Sequence, residues 1–282
     1  AADTRRGLVY DFKQYNATYG VTAVAGTGNG LLYTIAPTIT PSLTGVVSKT
    51  YDATTTATLV AGNYSASGTI DGDSILFNNP LGAYADKNAG VGKNVSVTGI
   101  SISSATNGGA NVYGYALSSS AANANIGTIT PAALTVSAVS TTKVYDATTS
   151  SVGTPTTSGL LGTDTVSGAT QAYASKNVLG ANASTLSVSG YTVNDGNSGN
   201  NYTVVTNTAA GTINKATLTL TAAGETKTYD GTATALNTPT TSGVQSGDSV
   251  SGLAQVFDSR NAGARTLSVS GYTVNDGNSG NN

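Results

Sequence analysis

The chain has 282 residues, 12 basic and 14 acidic, for a net charge of -2, and it contains no Cys, His, Met or Trp and a single Glu, Glu225. Without imidazole or thiolate it lacks the usual means of acid-base, thiol and metal chemistry, so no enzyme and no tightly held cofactor is expected. Only 9% of residues are charged; the basic footprint of a nucleic-acid binder is missing, no apolar run approaches the roughly 18 residues that span a bilayer, and neither partner is expected.

The hydrophobic fraction of 38% is enough for cores, and Thr, Ser, Asn and Gly supply the polarity that charges supply elsewhere. A cysteine-free chain of this composition fits a large bacterial exoprotein exported unfolded. The expected location is therefore secreted, at a bacterial cell surface or in an extracellular matrix. The opening "AADTRRGLVYDF" has no apolar stretch of the signal-peptide kind and reads as a piece of a mature chain.

In chain order, residues 1–41 read as the end of a preceding module, with a strand near 31–40 in "LLYTIAPTITP". Three further modules follow, over 42–131, 132–215 and 216–282, the last stopping before its final strand. Each opens on one signature: "KTYDATT" (Lys49, Tyr51, Asp52), "KVYDATT" (Lys143, Tyr145, Asp146) and "KTYDGTA" (Lys227, Tyr229, Asp230). Other landmarks follow in a fixed order: "TPTTSG" at 154 and 238, "GDS" or "GTD" at 72, 162 and 247, then "KN" or "RN" at Lys87, Lys176 and Arg260. A "VSVTG" or "LSVSG" strand comes next, and "GTITP" or "GTINK" runs into the following unit. "TLSVSGYTVNDGNSGNN" stands unchanged at 185–201 and 266–282.

Alternation marks half-buried strands. Leu134, Val136 and Ala138 fall on one face, as do Leu218 with Leu220 and Leu186 with Val188, while Thr and Ser take the other. In "LSVSGYTV" the phase slips at Gly190, which predicts a β-bulge with Tyr191 and Val193 inward afterwards. "NDGNSGNN" reads as a hairpin or longer loop. No helical stripe is visible. Short strands and frequent turns over about 84 residues predict an all-β fold of tandem immunoglobulin-like β-sandwich modules in an elongated array, in preference to a β-helix with coils of about 20 residues.

In the signature, Lys and Tyr are two apart and share a strand face, with Asp opposite. The structural reading makes Tyr a buried anchor, Lys a stem over its ring, and Asp the cap of the Thr-containing turn. A sharper alternative is an intramolecular Lys-Asn isopeptide bond, which needs a buried carboxylate nearby. Asp71 and Asp73 in "TIDGDS", and Asp195 and Asp276 in "NDGNSGNN", are candidate calcium ligands, although calcium wants six to eight oxygens and these loops offer one or two carboxylates each. Turn formation is the competing reading.

The ordered set of K-x-Y-D-[AG]-T, "KNAG" or "RNAG", "LSVSGYTV" and "NYTV" before "GTI" resembles the YDG-type repeat, a relative of the MBG-type repeats, over residues 42–282. That family is found in very large bacterial surface exoproteins, including filamentous-haemagglutinin-like adhesins exported by two-partner secretion. The resemblance implies a structural role in adhesion, biofilm matrix or filaments. The expected partners are neighbouring modules of the same chain, with exopolysaccharide, host glycan or like subunits as further candidates. Two other functions stay open: a carbohydrate- or protein-binding repeat, and a subunit that polymerises head to tail by donating its amino-terminal strand.

Overall fold

The computed structural model of the chain describes residues 7–282, so the first six residues of the 1–41 segment lie outside the described residues. Alternation becomes strand as expected: Leu134 and Val136 are fully buried and Ala138 nearly so. Among the described residues the strands are interrupted only by a single 3-10 turn, Ala61–Asn63. The fold is all-β.

Besides sending Ser74–Phe77, Ile102–Asn107 and Ala110–Tyr113 into a sheet with Phe12–Gln14 and Gly30–Leu32, the first repeat builds two sheets of its own. One carries Val47–Thr50, Ala121–Thr130, Gly90–Thr98, Gly82–Tyr84 and Thr56–Ala57 in that order; the other carries Ala116–Leu117, Thr38–Leu43 and Tyr64–Ser67. Ile39 and Leu43 from the small sheet, and Val47, Val95, Val97 and Ile129 from the large one, make the buried layer. The second repeat has the same plan. Thr142–Val144, Ala209–Asn214, Ser184–Asn194 and Thr165–Tyr173 form one sheet, and Ala132–Ser137 lies between Thr156–Ser158 and Tyr202–Asn207 in the other. In the third, Thr219–Thr221 pairs with Thr240–Ser242 and Ser249–Phe257 with Leu267–Asn275.

The first two repeats each open in the small sheet and then cross to the large one. Thr38–Leu43 gives way to Val47–Thr50 through Gly45, whose φ of 74° suits a residue without Cβ. The crossed-over strand runs parallel to the repeat's own last strand, Val47 beside Gly127 and Thr142 beside Thr212. This sets the signature tyrosines at the exit of the repeat: Tyr51 N–H donates to Thr130 and Tyr145 N–H to Asn214. Packing accordingly ignores the repeat boundaries. One compact unit takes the chain up to Ala132 together with Leu161–Asp164 and Asp195–Thr203; the other takes Ala133–Leu160, Thr165–Asn194 and Val204–Asn282.

Two expectations need correction. The strand near 31–40 is not one strand and is not spare: Gly30–Leu32 runs parallel to Phe12–Gln14, while Thr38–Leu43 opens the first repeat, paired with Tyr64–Ser67 and Ala116–Leu117. The bulge at Gly190 is present but is answered on the facing strand at Gly168, φ 62°. With both strands kinked, Tyr191 stays at the surface, 38% exposed, and only Val193 turns inward. The "NDGNSGNN" stretch at 194–201 is the longer loop of the two alternatives expected, joining Ser184–Asn194 to Tyr202–Asn207 in a different sheet.

Candidate functional site

The signature folds as a tight local turn. Lys49 Nζ donates to Asp52 Oδ1 at 2.7 Å and to the Thr54 carbonyl at 2.8 Å, while Thr54 N–H and Oγ1 donate to the same Asp52 oxygen. Lys143 with Asp146 and Lys227 with Asp230 repeat the arrangement. Asp caps the turn as expected. The lysine stem does not cover the signature tyrosine, however: Lys49 lies over Tyr84, Lys143 over Tyr173 and Lys227 over Phe257, at 5.3–5.5 Å. In the first two copies the ring so covered lies in the same sheet but not on an adjacent strand, Lys49 being in Val47–Thr50 and Tyr84 in Gly82–Tyr84, Lys143 in Thr142–Val144 and Tyr173 in Thr165–Tyr173. The residue after Asp adopts the left-handed conformation in every copy, Ala53 (φ 63°), Ala147 (φ 62°) and Gly231 (φ 75°), which is the physical reason that Gly suits this position.

With Lys and Asp occupied, the tyrosine of the first two copies reaches beyond its own repeat, whereas Tyr229 is 64% exposed and is not the buried anchor expected. Tyr51 is buried, and its hydroxyl donates to Asp164 Oδ2 at 2.7 Å. Tyr202 donates to the same oxygen at 2.7 Å, and Lys87 Nζ to Oδ1 at 3.2 Å while lying 5.6 Å from the Tyr51 ring. The Tyr51 and Tyr202 rings meet edge to face, 5.4 Å between centroids. Burial pushes the Asp164 carboxyl up, but the two hydroxyls and Lys87 outweigh it and hold the group below the usual range. Burial and the bond to Asp164 push the Tyr202 phenol up to about 12. A carboxylate of the "GTD" landmark thus gathers a Tyr and a Lys of the preceding repeat and a Tyr of its own.

The same latch recurs one repeat later. Tyr145 donates to Asp248 Oδ2 at 2.9 Å, and Lys176 Nζ reaches Asp248 Oδ1 at 3.3 Å and Tyr145 at 3.0 Å. An asparagine seals each junction. Asn201, fully buried, accepts from Ala89 N–H at 2.7 Å and donates to Asn88; Asn282 accepts from Val178 N–H at 2.8 Å and donates to Asn177. Both loops that hold these asparagines are wound on one carboxylate. Asp195 accepts the N–H groups of Asn197, Gly199 and Asn201, and Asp276 those of Asn278, Gly280 and Asn282. The unchanged seventeen residues therefore perform one docking task twice.

A further copy escaped the sequence reading. "KQYNAT" at Lys13 places Tyr15 where Tyr51 stands and replaces the signature Asp by Asn16, which itself takes the left-handed conformation, φ 49°. Tyr15 and Tyr115 both donate to Asp73 Oδ2, at 2.6 and 2.8 Å, matching Tyr51 and Tyr202 on Asp164. The available signal was K-x-Y-[DN]-A-T with Asn admitted. Asp164, Asp248 and Tyr202 were also missed as acceptors and donors, because Tyr51 and Asp164 are 113 residues apart and nothing local links them.

The predicted calcium residues are placed as follows. Asp195 and Asp276 spend both oxygens on backbone N–H groups. Asp73 accepts from Lys13, Tyr15, Tyr115 and Asn107, and Asp71 from Lys13. Among the described residues no group of three or more His, Cys, Asp or Glu could hold a metal ion.

Searches of curated proteins and of solved structures returned no match. A family model does match, and the boundaries fall near the strand switches that open each repeat. With the YDG domain recognised at residues 34–124, 130–210 and 214–282, most of its length, the chain belongs to the YDG domain family.

Proposed function

We propose that this chain is a non-catalytic, structural stalk segment of a secreted bacterial surface adhesin or extracellular filament. The observation that carries the reading is the reuse of the family signature. Tyr51 and Tyr145 are both consumed in binding the Asp of the next repeat, Asp164 and Asp248, so the most repeated chemistry in the chain joins repeats and is not free to hold a ligand. No helix among the described residues is long and apolar enough to cross a membrane. Composition and the family resemblance support a surface location, two-partner export and a role in adhesion or biofilm matrix.

One observation favours a second reading, a glycan-binding repeat. Tyr191 and Tyr272 stand at matching positions, 38% and 54% exposed, near Asn194 and Asn275. The deciding experiment immobilises the fragment and screens exopolysaccharides, host glycans and its own soluble copy, with and without calcium. The stalk reading expects no saturable glycan binding. Saturable binding that disappears in a Tyr191→Ala, Tyr272→Ala double variant would establish the second reading in its place.

A further inference from the structure

Lys13 differs from every other described lysine. It is completely buried, and its Nζ donates to Asp73 Oδ1 and, at 2.7 Å, to Asp71 Oδ2. Asp73 Oδ1 also accepts from Asn107 Nδ2 at 2.7 Å, so an amine and a carboxamide share one oxygen of a carboxylate whose side chain is itself buried. Tyr10 donates to the carboxamide oxygen, Asn107 Oδ1, at 2.7 Å, and Asn107 Nδ2 is further held by the Asp71 carbonyl. The surroundings are aromatic and aliphatic: Tyr15, whose ring lies 5.4 Å from Nζ, with Tyr33, Tyr115 and Val112.

We propose that Lys13 and Asn107 form an intramolecular isopeptide bond, with Asp73 as the proton shuttle and Tyr10 as the donor to the developing oxyanion. The bond that Lys13 Nζ donates to Asp73 Oδ1 is the path for one proton onto that carboxylate, which frees the amine lone pair for attack. Nζ attacks Cγ of Asn107; the Nζ–Cγ bond forms and negative charge collects on Oδ1, against the Tyr10 hydroxyl. The Cγ–Nδ2 bond then breaks. Of the two protons lost from the lysine ammonium, one reaches Nδ2 through Asp73 to complete ammonia and the second leaves with it as ammonium. Asp73 ends as the carboxylate it began as, and no oxidant, metal or cofactor takes part.

The other lysines define what is special here. Lys49, Lys143 and Lys227 face aspartates whose side chains are 49%, 44% and 54% exposed. Lys87 and Lys176 are themselves about a third exposed, and no asparagine amide donates to Asp164 or Asp248. The bond would tie the degenerate signature at Phe12–Gln14 covalently to the end of Ile102–Asn107, giving one junction a lock that the other two make with hydrogen bonds alone.

The test is the mass of the folded, then denatured, wild-type fragment, followed by tryptic peptide sequencing. The expected result is a protein lighter than its sequence by one ammonia, a branched peptide joining Lys13 to Asn107, and no cleavage after Lys13. Lys13→Ala, Asp73→Ala and Asn107→Ala should each restore the full mass. A succinimide at Asn107-Gly108 has the same mass as the proposed product, but it leaves Lys13 free and cleavable; finding that, or the full sequence mass in wild type, overturns the proposal. Loss of one water, with the branch at Asp71, overturns Asn107 as the acceptor.

Discussion

At the scale of single residues, one carboxylate decides a junction. Asp164 satisfies two buried phenols and one ammonium, and Asp164→Ala would leave the buried Tyr51 and Tyr202 hydroxyls without the acceptor they share. Truncating the shared partner of buried polar groups costs about 3 kcal/mol. The expected outcome is a lower urea midpoint with an unchanged fold by circular dichroism; a variant as stable as wild type would mean that the latch contributes nothing. The residue after the signature Asp makes a smaller and cleaner case. Gly231 has φ 75° and open space where a Cβ would go, so Gly231→Ala meets no neighbour and changes only backbone strain. Destabilisation of about 1 kcal/mol is expected. Ala53→Gly and Ala147→Gly should move the other way by less, since Ala147 also packs on the second repeat's core, and denaturant titration reads all three.

At the scale of elements, the glycine of the "GTI" landmark explains how the crossed-over strand and the last strand come together. A Cβ at Gly211 would stand 2.8 Å from the Tyr173 ring and 2.7 Å from Leu186, and at Gly127 it would stand 2.7 Å from the Tyr84 ring. Those rings cross the glycine so that Tyr173 donates to the Thr141 carbonyl and Tyr84 to that of Val47, pinning the signature strand. Gly211→Ala should therefore cost about 1–3 kcal/mol by overpacking, and the loss should appear as faster amide exchange over Thr142–Val144; unchanged exchange there would refute the account. Alternation of apolar and polar side chains made the strands and the phase slip at Gly190 legible in the sequence, and the recurring landmarks did the same for the repeat order. What it hid was non-local. The change of sheet between Ala132–Ser137 and Thr142–Val144 leaves no periodicity signal, and Tyr191 turned outward because a second bulge on the facing strand answered the first. The junction was equally hidden: "KN", "GTD" and "GNN" were visible as landmarks, but their meeting depends on segments about a hundred residues apart.

At the scale of the whole molecule, the absence of histidine and the burial of the junction groups fix how stability follows pH. Asp73, Asp164, Asp195 and Asp276 all titrate below the ordinary 3.8: burial pushes each carboxyl up, and donated hydrogen bonds more than reverse it. A depressed folded value means that the unfolded chain binds more protons in acid. Their contribution is thus complete above the unfolded value and is lost as pH falls below about 4 through the folded values. The phenols work in the opposite sense. Burial raises Tyr15, Tyr51 and Tyr202 above 10.0, so the unfolded chain gives up those protons first, and the contribution is complete below about pH 10 and lost as pH rises through the folded values. Hydrogen bonds to Tyr51 and Tyr145 raise Lys87 and Lys176 in the same direction. Between those limits no histidine or cysteine exists to titrate. Urea midpoints measured at steps from pH 3 to pH 11 should trace a plateau from about pH 5 to about pH 9 with a fall on either side. A slope inside the plateau would show that the carboxylates or phenols of the latches are not held as the hydrogen bonds describe. Because the acid limb reports the carboxylates and the alkaline limb the phenols, Asp164→Asn should blunt the first, and it should also shift the second, since Tyr51 and Tyr202 then lose the anion that holds their protons in place.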